Sequence, residues 1–483
     1  MSDRARGQPR SFRLWLTVIT VGALALRIAY VIWYENTHVG PGGDALYYHL
    51  QANAIAQGHW FIEPYVWKCF GTHVQTAAHP PLYPLFLSVF SVFGGTSTLV
   101  HRIATALAGA ATVWCVGAAG REMHSERIGL VAAGIAAVYP ALWINDALLM
   151  SETLFAFTIA LLVWLSYRYI RQPTSGRAAW VGFAVALAAL ARAEAILLVP
   201  LLLLPLLWRH SGSHASARVR LQRAGVAVAV TALTCAPMVV HNLARFNKPV
   251  YLSNGLGSVL AVANCHDTYN GSLLGSWSIN CGAQIDNVAV GRPANARPRL
   301  FGGRVEASLC VKFDDNLSKK LGDESDVEAR RRQVSLRYVR KHASRLLVVI
   351  PARLGRTFEV YRPAQGIGIA DFVENRGTVA SRAAQWSFYL LGLASIAGIV
   401  MYRRRRVPLL PCLAMFASVV ITTVLTYGNV RFRIELDTVL PLLAAMPIAA
   451  LVAIPIGRLT RRVPSRERAE TVPVGEGGPS SER

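Results

Sequence analysis

The sequence lacks the motifs of enzymes that bind nucleotides. Its 483 residues contain no Walker A motif and no GxGxxG motif placed after a strand. Both motifs supply backbone N–H groups that bind phosphates, so we expect no nucleotide site of either type. Lysine is also scarce, because only 6 of the 50 basic residues are lysines, a bias typical of a GC-rich genome.

Metal-binding spacings are missing as well. There is no CxxC motif and no set of Cys and His residues at the spacing that structural zinc requires. Four histidines of the predicted first loop follow no ligand pattern: His49, His59, His73 and His79. We therefore expect no metal and no cofactor. A divalent metal at the site is the alternative that we do not favour.

The positive charge is not concentrated in one part of the chain. The net charge is +23, yet no soluble basic domain carries it, which argues against a nucleic-acid partner. A basic excess spread over many short links instead suits a protein surrounded by anionic membrane lipids.

What the sequence does contain is a series of long apolar runs. Hydrophobic residues make up 53% of the chain, and the mean hydropathy is +0.35. A run of about 20 residues is what a helix needs to cross the hydrocarbon core of a bilayer. About ten spans are predicted, near 14–34, 102–120, 128–144, 153–170, 178–192, 194–208, 224–242, 386–402, 407–426 and 438–457. The predicted fold class is an all-α polytopic membrane protein with about ten or more transmembrane helices.

Basic residues alternate between the links that join these spans. The N-terminus MSDRARGQPRSFR is basic, and so are the even-numbered links, such as REMHSER at 121–127 and RRRR at 403–406. Links rich in Lys and Arg remain in the cytoplasm. We therefore expect a multi-pass protein of a bacterial inner (plasma) membrane, with both termini cytoplasmic and the odd-numbered links outside.

The predicted spans divide the chain into four parts. They are an N-terminal membrane module at 1–242 that includes a first outer loop at 35–101, an extracytoplasmic domain at 243–385, C-terminal membrane helices at 386–457, and a disordered cytoplasmic tail at 458–483. The link 243–385 is too long for a simple connection, so it predicts a small folded domain. In the first loop, 45–56 and 79–95 predict helices lying in the membrane interface.

Four of the seven cysteines fall in the predicted outer loops: Cys69, Cys265, Cys281 and Cys310. An even number of cysteines in an oxidising compartment favours two disulfides. Cys265 and Cys281 form the more local pair, which leaves Cys69 to join the first loop to the second through Cys310. Other pairings remain open.

The stretch GGDALYYHLQANAIAQG at 42–58 places Asp44 at the start of a predicted interfacial helix. A carboxylate at this position either caps the helix by accepting backbone N–H groups or acts as a general base that faces a cavity at the membrane surface. Tyr47 and Tyr48, together with His79 of HPPLYPLF, are expected to line that cavity.

Other outer links add acidic residues and arginines. The stretches NDALLMSETLF, ALARAEA and YGNVRFRIELD hold Asp146, Glu152, Arg192, Arg431 and Arg433. Arginine binds phosphate oxygens through paired hydrogen bonds, and a carboxylate accepts the proton of an attacking hydroxyl. If these groups converge on one face of the bilayer, they suit a lipid-linked phosphate substrate.

At these residues the sequence resembles the GT-C superfamily of integral membrane glycosyltransferases. The resemblance is strongest to the branch of bacterial protein O-mannosyltransferase-like and aminoarabinose-transferase-like enzymes. The matching stretches are GGDALYYHLQANAIAQG, HPPLYPLF, RIATALAGAATVWCVG, SETLF, GFAVALAALARAEAILL and RFRIELDTVLPLLAA. They keep the family's order and approximate spacing over about the first 210 residues and the C-terminal end.

The resemblance implies a reaction and its partners. The donor is a sugar on a polyprenyl phosphate, and the acceptor is a hydroxyl of a glycan, a glycolipid or a protein on the extracytoplasmic face. Transfer proceeds with inversion at the anomeric carbon.

The resemblance also implies residue roles. Asp44 corresponds to the family's catalytic base, and Asp146 or Glu152 to its second acidic position. The candidates for binding the donor phosphate are Arg192, Arg431 and Arg433. Because glycines precede Asp44, a second carboxylate that some relatives carry is missing there, which favours a metal-independent mechanism.

Two other classes of function remain as alternatives. A lipid-linked sugar transporter or flippase without transferase activity binds the same substrate, but transporters show internal repeats and charged or broken helices at mid-membrane. No clear repeat is present here. In a structural or assembly protein, the long outer segment binds a partner and Asp44 serves only as a helix cap.

Overall fold

The structure is a computed structural model that describes residues 9–38, 40–212, 215–289, 291 and 322–460. These residues form helices joined by short links, with one isolated antiparallel bridge between Ile62 and Gln75. The predicted all-α class is therefore confirmed. The first eight residues and the predicted tail from residue 461 onward lie outside the described residues.

The described part of the first half of the chain, up to the end of the predicted N-terminal module, is helical. They are α1 (Pro9–Thr37), α2 (Gly43–Ala56), α3 (Pro64–Phe70), α4 (Leu82–Val92), α5 (Thr98–Met123), α6 (Glu126–Val138), α7 (Pro140–Trp143), α8 (Glu152–Arg171), α9 (Ser175–Ala191), α10 (Leu204–Arg209) and α11 (Ala217–Leu243). Single 3-10 turns at Ile144–Ala147 and Ala193–Leu197 precede α8 and follow α9.

The second half contains a long connecting segment, residues 244–377, followed by three more helices. The helices of this half are α12 (Leu256–Ala263), α13 (His266–Tyr269), α14 (Ile279–Ala289), α15 (Glu324–Lys341), α16 (Leu346–Thr357), α17 (Pro363–Glu374), α18 (Thr378–Arg404), α19 (Leu410–Leu425) and α20 (Ile434–Thr460). A 3-10 turn at Val430–Arg433 leads into α20.

Six helices of the described residues are long and apolar enough to cross a membrane. A seventh span is added if α6 and the stretch Pro140–Ala147, which meet at a bend of 64°, count as one. The predicted spans at 178–192 and 407–426 correspond to the shorter apolar helices α9 and α19. The prediction of about ten spans therefore stays a prediction.

The predicted span at 194–208 is divided rather than continuous. It consists of the 3-10 turn Ala193–Leu197, a π-helical turn at Val199–Leu203 and the short helix α10. Pro200 and Pro205 lie in this stretch. Because proline has no N–H group to donate, it interrupts the regular hydrogen-bond ladder of an α-helix.

Small residues let the helices of the bundle approach closely. Gly182 of α9 faces the backbone of Ala227 in α11, and Gly398 of α18 faces the backbone of Leu443 in α20. A Cβ atom at either glycine would overlap the carbonyl oxygen of its neighbour. Close backbone approach through small residues is how membrane helices gain packing energy, since burying apolar surface gains little in lipid.

The first loop, residues 38–97, forms helices where the sequence predicts them. The predicted stretches 45–56 and 79–95 correspond to α2 and α4, which pack against each other. Tyr83 of α4 is fully buried, and its hydroxyl lies 2.9 Å from the hydroxyl of Thr105 in α5. These contacts fix the start of α2 above the end of the helix bundle.

The long connecting segment packs onto the first loop. The hydroxyl of Thr76 donates to Oε2 of Glu324 at 2.6 Å, and the backbone N–H of Ala77 donates to Oε1 of the same residue. The guanidinium of Arg245 donates to the carbonyl oxygens of Phe61 and Thr76. The described part of the predicted domain 243–385 is thus helical and joined to the first loop by polar contacts, while its boundaries stay a prediction.

One of the two predicted disulfides is present. Cys265 and Cys281 are bonded, and Cys69 is disulfide-bonded as well. Cys310 lies outside the described residues, so its pairing with Cys69 stays a prediction. The cysteines of the predicted spans are free and buried: Cys115, Cys235 and Cys412.

The glycine contact between α18 and α20 generates a stability prediction. Gly398→Ala inserts a methyl group against the Leu443 carbonyl, and we expect it to destabilise the protein by about 1–3 kcal/mol. Gly392→Ala on the same helix is the control, because no atom lies within 4 Å of its Cβ position. Thermal unfolding of the purified protein in detergent measures both, and equal melting temperatures would contradict this packing.

Candidate active site

Asp44 lies in the first turn of α2 and does not cap that helix. The N-cap residue is Gly42, and no side chain accepts the free N–H groups of this helix end. Instead, Oδ2 of Asp44 accepts a hydrogen bond of 3.2 Å from Nη1 of Arg431. In this structure Asp44 therefore pairs with Arg431 and makes no cap hydrogen bond, while its role stays a prediction.

Glu152 is the centre of the charged cluster. Its Oε1 accepts from Nε of Arg431 at 2.5 Å and from Nη1 of Arg192 at 2.8 Å. The side chain of Glu152 is 1% exposed. A carboxylate buried this deeply requires paired cations, and two guanidinium groups supply them. Arg192 also donates from Nε to Glu194 at 2.6 Å.

Each member of the cluster lies where a helix begins or ends. Glu152 is the first residue of α8, and Arg192 follows the last residue of α9. Arg431 belongs to the 3-10 turn before α20, where the side chain of Asn429 accepts the N–H of Arg431. Helix ends leave unpaired backbone groups and need polar surroundings, so the charged residues meet at one end of the bundle.

His79 flanks Asp44 on the side away from Arg431. Its Nε2 lies 3.9 Å from Oδ1 of Asp44, and its Nδ1 lies 3.1 Å from the hydroxyl of Tyr48. Burial raises the pKa of Asp44, but the charge that His79 carries when protonated, together with the charge of Arg431, outweighs this and holds the pKa below its usual value. Burial lowers the pKa of His79, aided by Arg431 and opposed by Asp44. At neutral pH Asp44 is thus a carboxylate and His79 a neutral imidazole.

A cavity of about 1380 Å³ opens beside this cluster, and we call it the large cavity. Its polar end includes Asp44, Tyr48, His79, Arg192 and Arg431. The side chain of Asp44 is 40% exposed, which shows that the carboxylate faces open space. The cavity continues along an apolar wall formed by Ile196, Val199, Val228, Cys235 and Val239.

Asp146 lies outside the charged cluster around Glu152. Its Oδ2 lies 2.9 Å from Nε of Arg27, both side chains are fully buried, and its Oδ1 accepts from the hydroxyl of Thr153. It does not line the large cavity. Glu152 does not line it either, but only Glu152 binds Arg192 and Arg431, which do, so the geometry favours Glu152 over Asp146 for the second acidic position.

Two further candidates are also displaced from the large cavity. Arg433 is 2% exposed and binds Glu359 and Asp437, with its guanidinium 3.7 Å from the ring centre of Phe388. Tyr47 is buried, and its hydroxyl donates to Thr76.

No sequence pattern marks Glu374 as a member of the cluster. This residue ends α17, and its Oε1 lies 3.6 Å from Nη1 of Arg431. Tyr427 also lines the large cavity. Glu374 lies in a segment that matches no recognised motif, so only its distance in space reveals it.

The cluster does not fit a metal site. Among the described ranges, no group of three or more His, Cys, Asp or Glu side chains is arranged to hold a metal ion. Asp44 and His79 offer two ligands, and the nearest further carboxylate, Glu152, already holds two guanidinium groups. The predicted absence of a cofactor stays a prediction.

Comparisons with known proteins agree with this architecture. A family model described as dolichyl-phosphate-mannose-protein mannosyltransferase matches residues 78–241. The structure also resembles the archaeal oligosaccharyltransferase AglB from Archaeoglobus fulgidus, solved with an inhibitory peptide and a dolichol-phosphate. The TM-score is 0.52 at 14% identity, over 95% of this chain and 53% of that chain. The chain has the GT-C fold.

Two further solved structures also match the chain. A second structure of the same Archaeoglobus fulgidus enzyme, tethered to an acceptor peptide, gives a TM-score of 0.52 at 16% identity over 95% of this chain and 51% of that chain. ArnT from Cupriavidus metallidurans, bound to undecaprenyl phosphate, matches at 14% identity over 95% of this chain and 82% of that chain, but its TM-score of 0.39 adds nothing to the fold assignment.

The matches cover only part of the known proteins. The chain spans about half the length of the oligosaccharyltransferase structures that it matches. No curated protein sequence matches the chain. The predicted GT-C fold is confirmed, and the family-model match supports the predicted class of enzyme, a glycosyltransferase.

The buried pair of Arg27 and Asp146 generates a prediction about its role. Asp146→Ala leaves the guanidinium of Arg27 buried without a counter-charge, and we expect a loss of about 3–5 kcal/mol of stability. The double variant Arg27→Met with Asp146→Leu removes both charges together and recovers most of that loss. Thermal unfolding in detergent compares them, and a double variant no more stable than Asp146→Ala would contradict a structural role for the pair.

Proposed function

We propose that the protein transfers a sugar from a polyprenyl-phosphate donor to an acceptor hydroxyl on the extracytoplasmic face of a bacterial inner membrane. Asp44 is the general base, and the anomeric carbon inverts. One observation carries the proposal: the exposed carboxylate of Asp44 contacts Arg431, and both side chains line one large cavity with an apolar wall.

The donor phosphate binds at Arg192 and Arg431. Both guanidinium groups line the large cavity while Glu152 holds them from behind. A guanidinium binds phosphate oxygens through parallel hydrogen bonds, and these bonds strengthen as negative charge collects on the departing phosphate. The two arginines thus stabilise the leaving group in the transition state.

The polyprenyl chain lies along the apolar wall of the large cavity. Val228, Cys235 and Val239 of α11 form one side of this wall, and Ile196 and Val199 form the other. Because this wall is as apolar as the lipid that the hydrocarbon chain leaves, the chain can enter the cavity without a cost in apolar burial and without leaving any polar group unpaired. The polar end of the cavity then receives the phosphate and the sugar.

Asp44 takes the proton of the attacking hydroxyl. The acceptor oxygen forms a bond to the anomeric carbon as the bond from that carbon to the phosphate oxygen breaks. Attack from the face opposite the phosphate inverts the carbon, and the hydroxyl proton passes to Asp44. The lowered pKa of Asp44 keeps it ionised, and therefore ready to accept, at neutral pH.

The comparisons support the donor class. The matched family is described by its dolichyl-phosphate-mannose donor, and the matched AglB structure contains a dolichol-phosphate. Both are polyprenyl phosphates. The acceptor is a glycan, glycolipid or protein hydroxyl, and the mechanism that these residues support needs no metal.

The assignment of the base generates the main prediction. Asp44→Asn keeps the size and shape of the side chain but cannot accept a proton, so we expect transfer to fall by about 10²–10⁴-fold. The measurement is transfer of radiolabelled sugar from a polyprenyl-phosphate donor in membranes, with protein amount determined in parallel.

Asp267→Asn is the matched control, because Asp267 does not line the large cavity. Transfer that persists in Asp44→Asn at the wild-type rate would overturn the assignment. If the protein instead moves the lipid-linked sugar across the bilayer without transferring it, the transporter alternative replaces the enzyme.

The phosphate site generates a further prediction. Arg192→Gln removes one charged donor, and we expect undecaprenyl phosphate to bind about tenfold to hundredfold more weakly. Binding is measured with the protein in nanodiscs. Arg362→Gln, an exposed arginine away from the cavity, should leave binding unchanged, and equal weakening in both variants would point to a general charge effect instead.

A further inference from the structure

A second, much smaller cavity lies behind the charged cluster. Its volume is about 40 Å³, and we call it the small chamber. Arg431 lines both the large cavity and the small chamber, whereas Glu152 lines only the small chamber. The ion pair between Glu152 and Arg431, which is part of the proposed phosphate site, therefore lies between the two cavities.

Three buried oxygen atoms belong to side chains that line the small chamber and have no hydrogen-bond partner among the described residues. They are Oε2 of Glu152, Oδ1 of Asn145 and Oγ of Ser381. All three residues are more than nine-tenths buried. Buried polar atoms in native proteins are almost always hydrogen-bonded, so a ligand that donates to these oxygens is required.

The charges around the small chamber decide what that ligand is. Arg431, Arg433 and Arg376 line it, and each is already paired with a carboxylate. Glu152, Glu359 and Asp437 line it too, so three carboxylates balance the three guanidinium groups and the lining favours neither a cation nor an anion. The ligand is therefore small, neutral and able to donate at least two hydrogen bonds.

The volume agrees with water. One water molecule needs about 10–15 Å³ of such space, so the 40 Å³ of the small chamber accommodates about three. Water also has the two donors and two acceptors that link two carbonyl-type oxygens to a hydroxyl.

We infer that the small chamber is a water-binding site, and that its water holds the Glu152 carboxylate in position. Water bonded to Oε2 of Glu152, Oδ1 of Asn145 and Oγ of Ser381 holds the carboxylate so that Oε1 keeps Arg192 and Arg431 directed at the large cavity. Asn145 and Ser381 are then positioning residues for the phosphate site. This last step rests on the proposed function, whereas the water site itself does not.

A direct test is an experimental structure of the full chain at a resolution that shows ordered water. We expect density within hydrogen-bond distance of Oε2 of Glu152 and Oγ of Ser381. A map of that quality without water at Glu152 Oε2 would overturn the inference, whatever the fate of the proposed reaction.

The positioning role has its own test in the binding of undecaprenyl phosphate to the protein in nanodiscs. Ser381→Ala removes one of the three contacts, and we expect binding to weaken about threefold to tenfold with an unchanged melting temperature. Ser381→Thr keeps the hydroxyl and should restore binding.

Ser395→Ala is the matched control on the same helix. Ser395 is also buried, but its hydroxyl donates to the carbonyl of Leu440 and does not line the small chamber. Wild-type binding by Ser381→Ala, or equal weakening by Ser395→Ala, would overturn the positioning role. Failure of the proposed function is distinguishable, since it appears as unchanged transfer in Asp44→Asn.

Discussion

The carboxylate of Glu152, buried between two guanidinium groups, is the interaction on which the rest of the site depends. Burying an unpaired charge costs more free energy than most single contacts contribute. Glu152 must therefore be paired with Arg192 and Arg431. It joins the start of α8, the end of α9 and the turn before α20. Three segments far apart in sequence thus have one permitted arrangement at this end of the bundle.

The packing of the bundle explains why the charges collect at its edge. Inside the bundle, close approach at Gly182 and Gly398 brings backbones together and leaves little room for charged side chains, while small hydroxyls such as that of Ser395 donate to backbone carbonyls. The exceptions are neutralised pairs, as Arg27 and Asp146 show. The large cavity therefore has an apolar wall where helices face each other and a polar end where they terminate. This gradient suits a ligand with a hydrocarbon tail and a charged head.

The long connecting segment contributes a carboxylate to the charged cluster. Glu374 approaches Arg431 from α17, so this arginine has three carboxylate neighbours, the others being Asp44 and Glu152. In the proposed reaction, the donor phosphate would compete with these carboxylates for the guanidinium of Arg431.

The sequence by itself determined the helical class, the membrane character, and which loops hold the carboxylates and arginines. Runs of apolar residues and the alternation of arginine-rich links are local patterns, and a local pattern is readable without knowing distant contacts. The same holds for Asp44, since glycines before it and an amphipathic stretch after it mark a helix start at the membrane surface.

Only the tertiary structure decided which of the charged residues meet. Asp146 and Glu152 are six positions apart in one link, yet one pairs with Arg27 inside the bundle and the other with the arginines of the site. Arg431 and Arg433 likewise pair with different carboxylates, Glu152 and Glu359, from a single 3-10 turn. Charge pairing depends on distances of a few ångströms between segments hundreds of residues apart, and no local pattern encodes such distances.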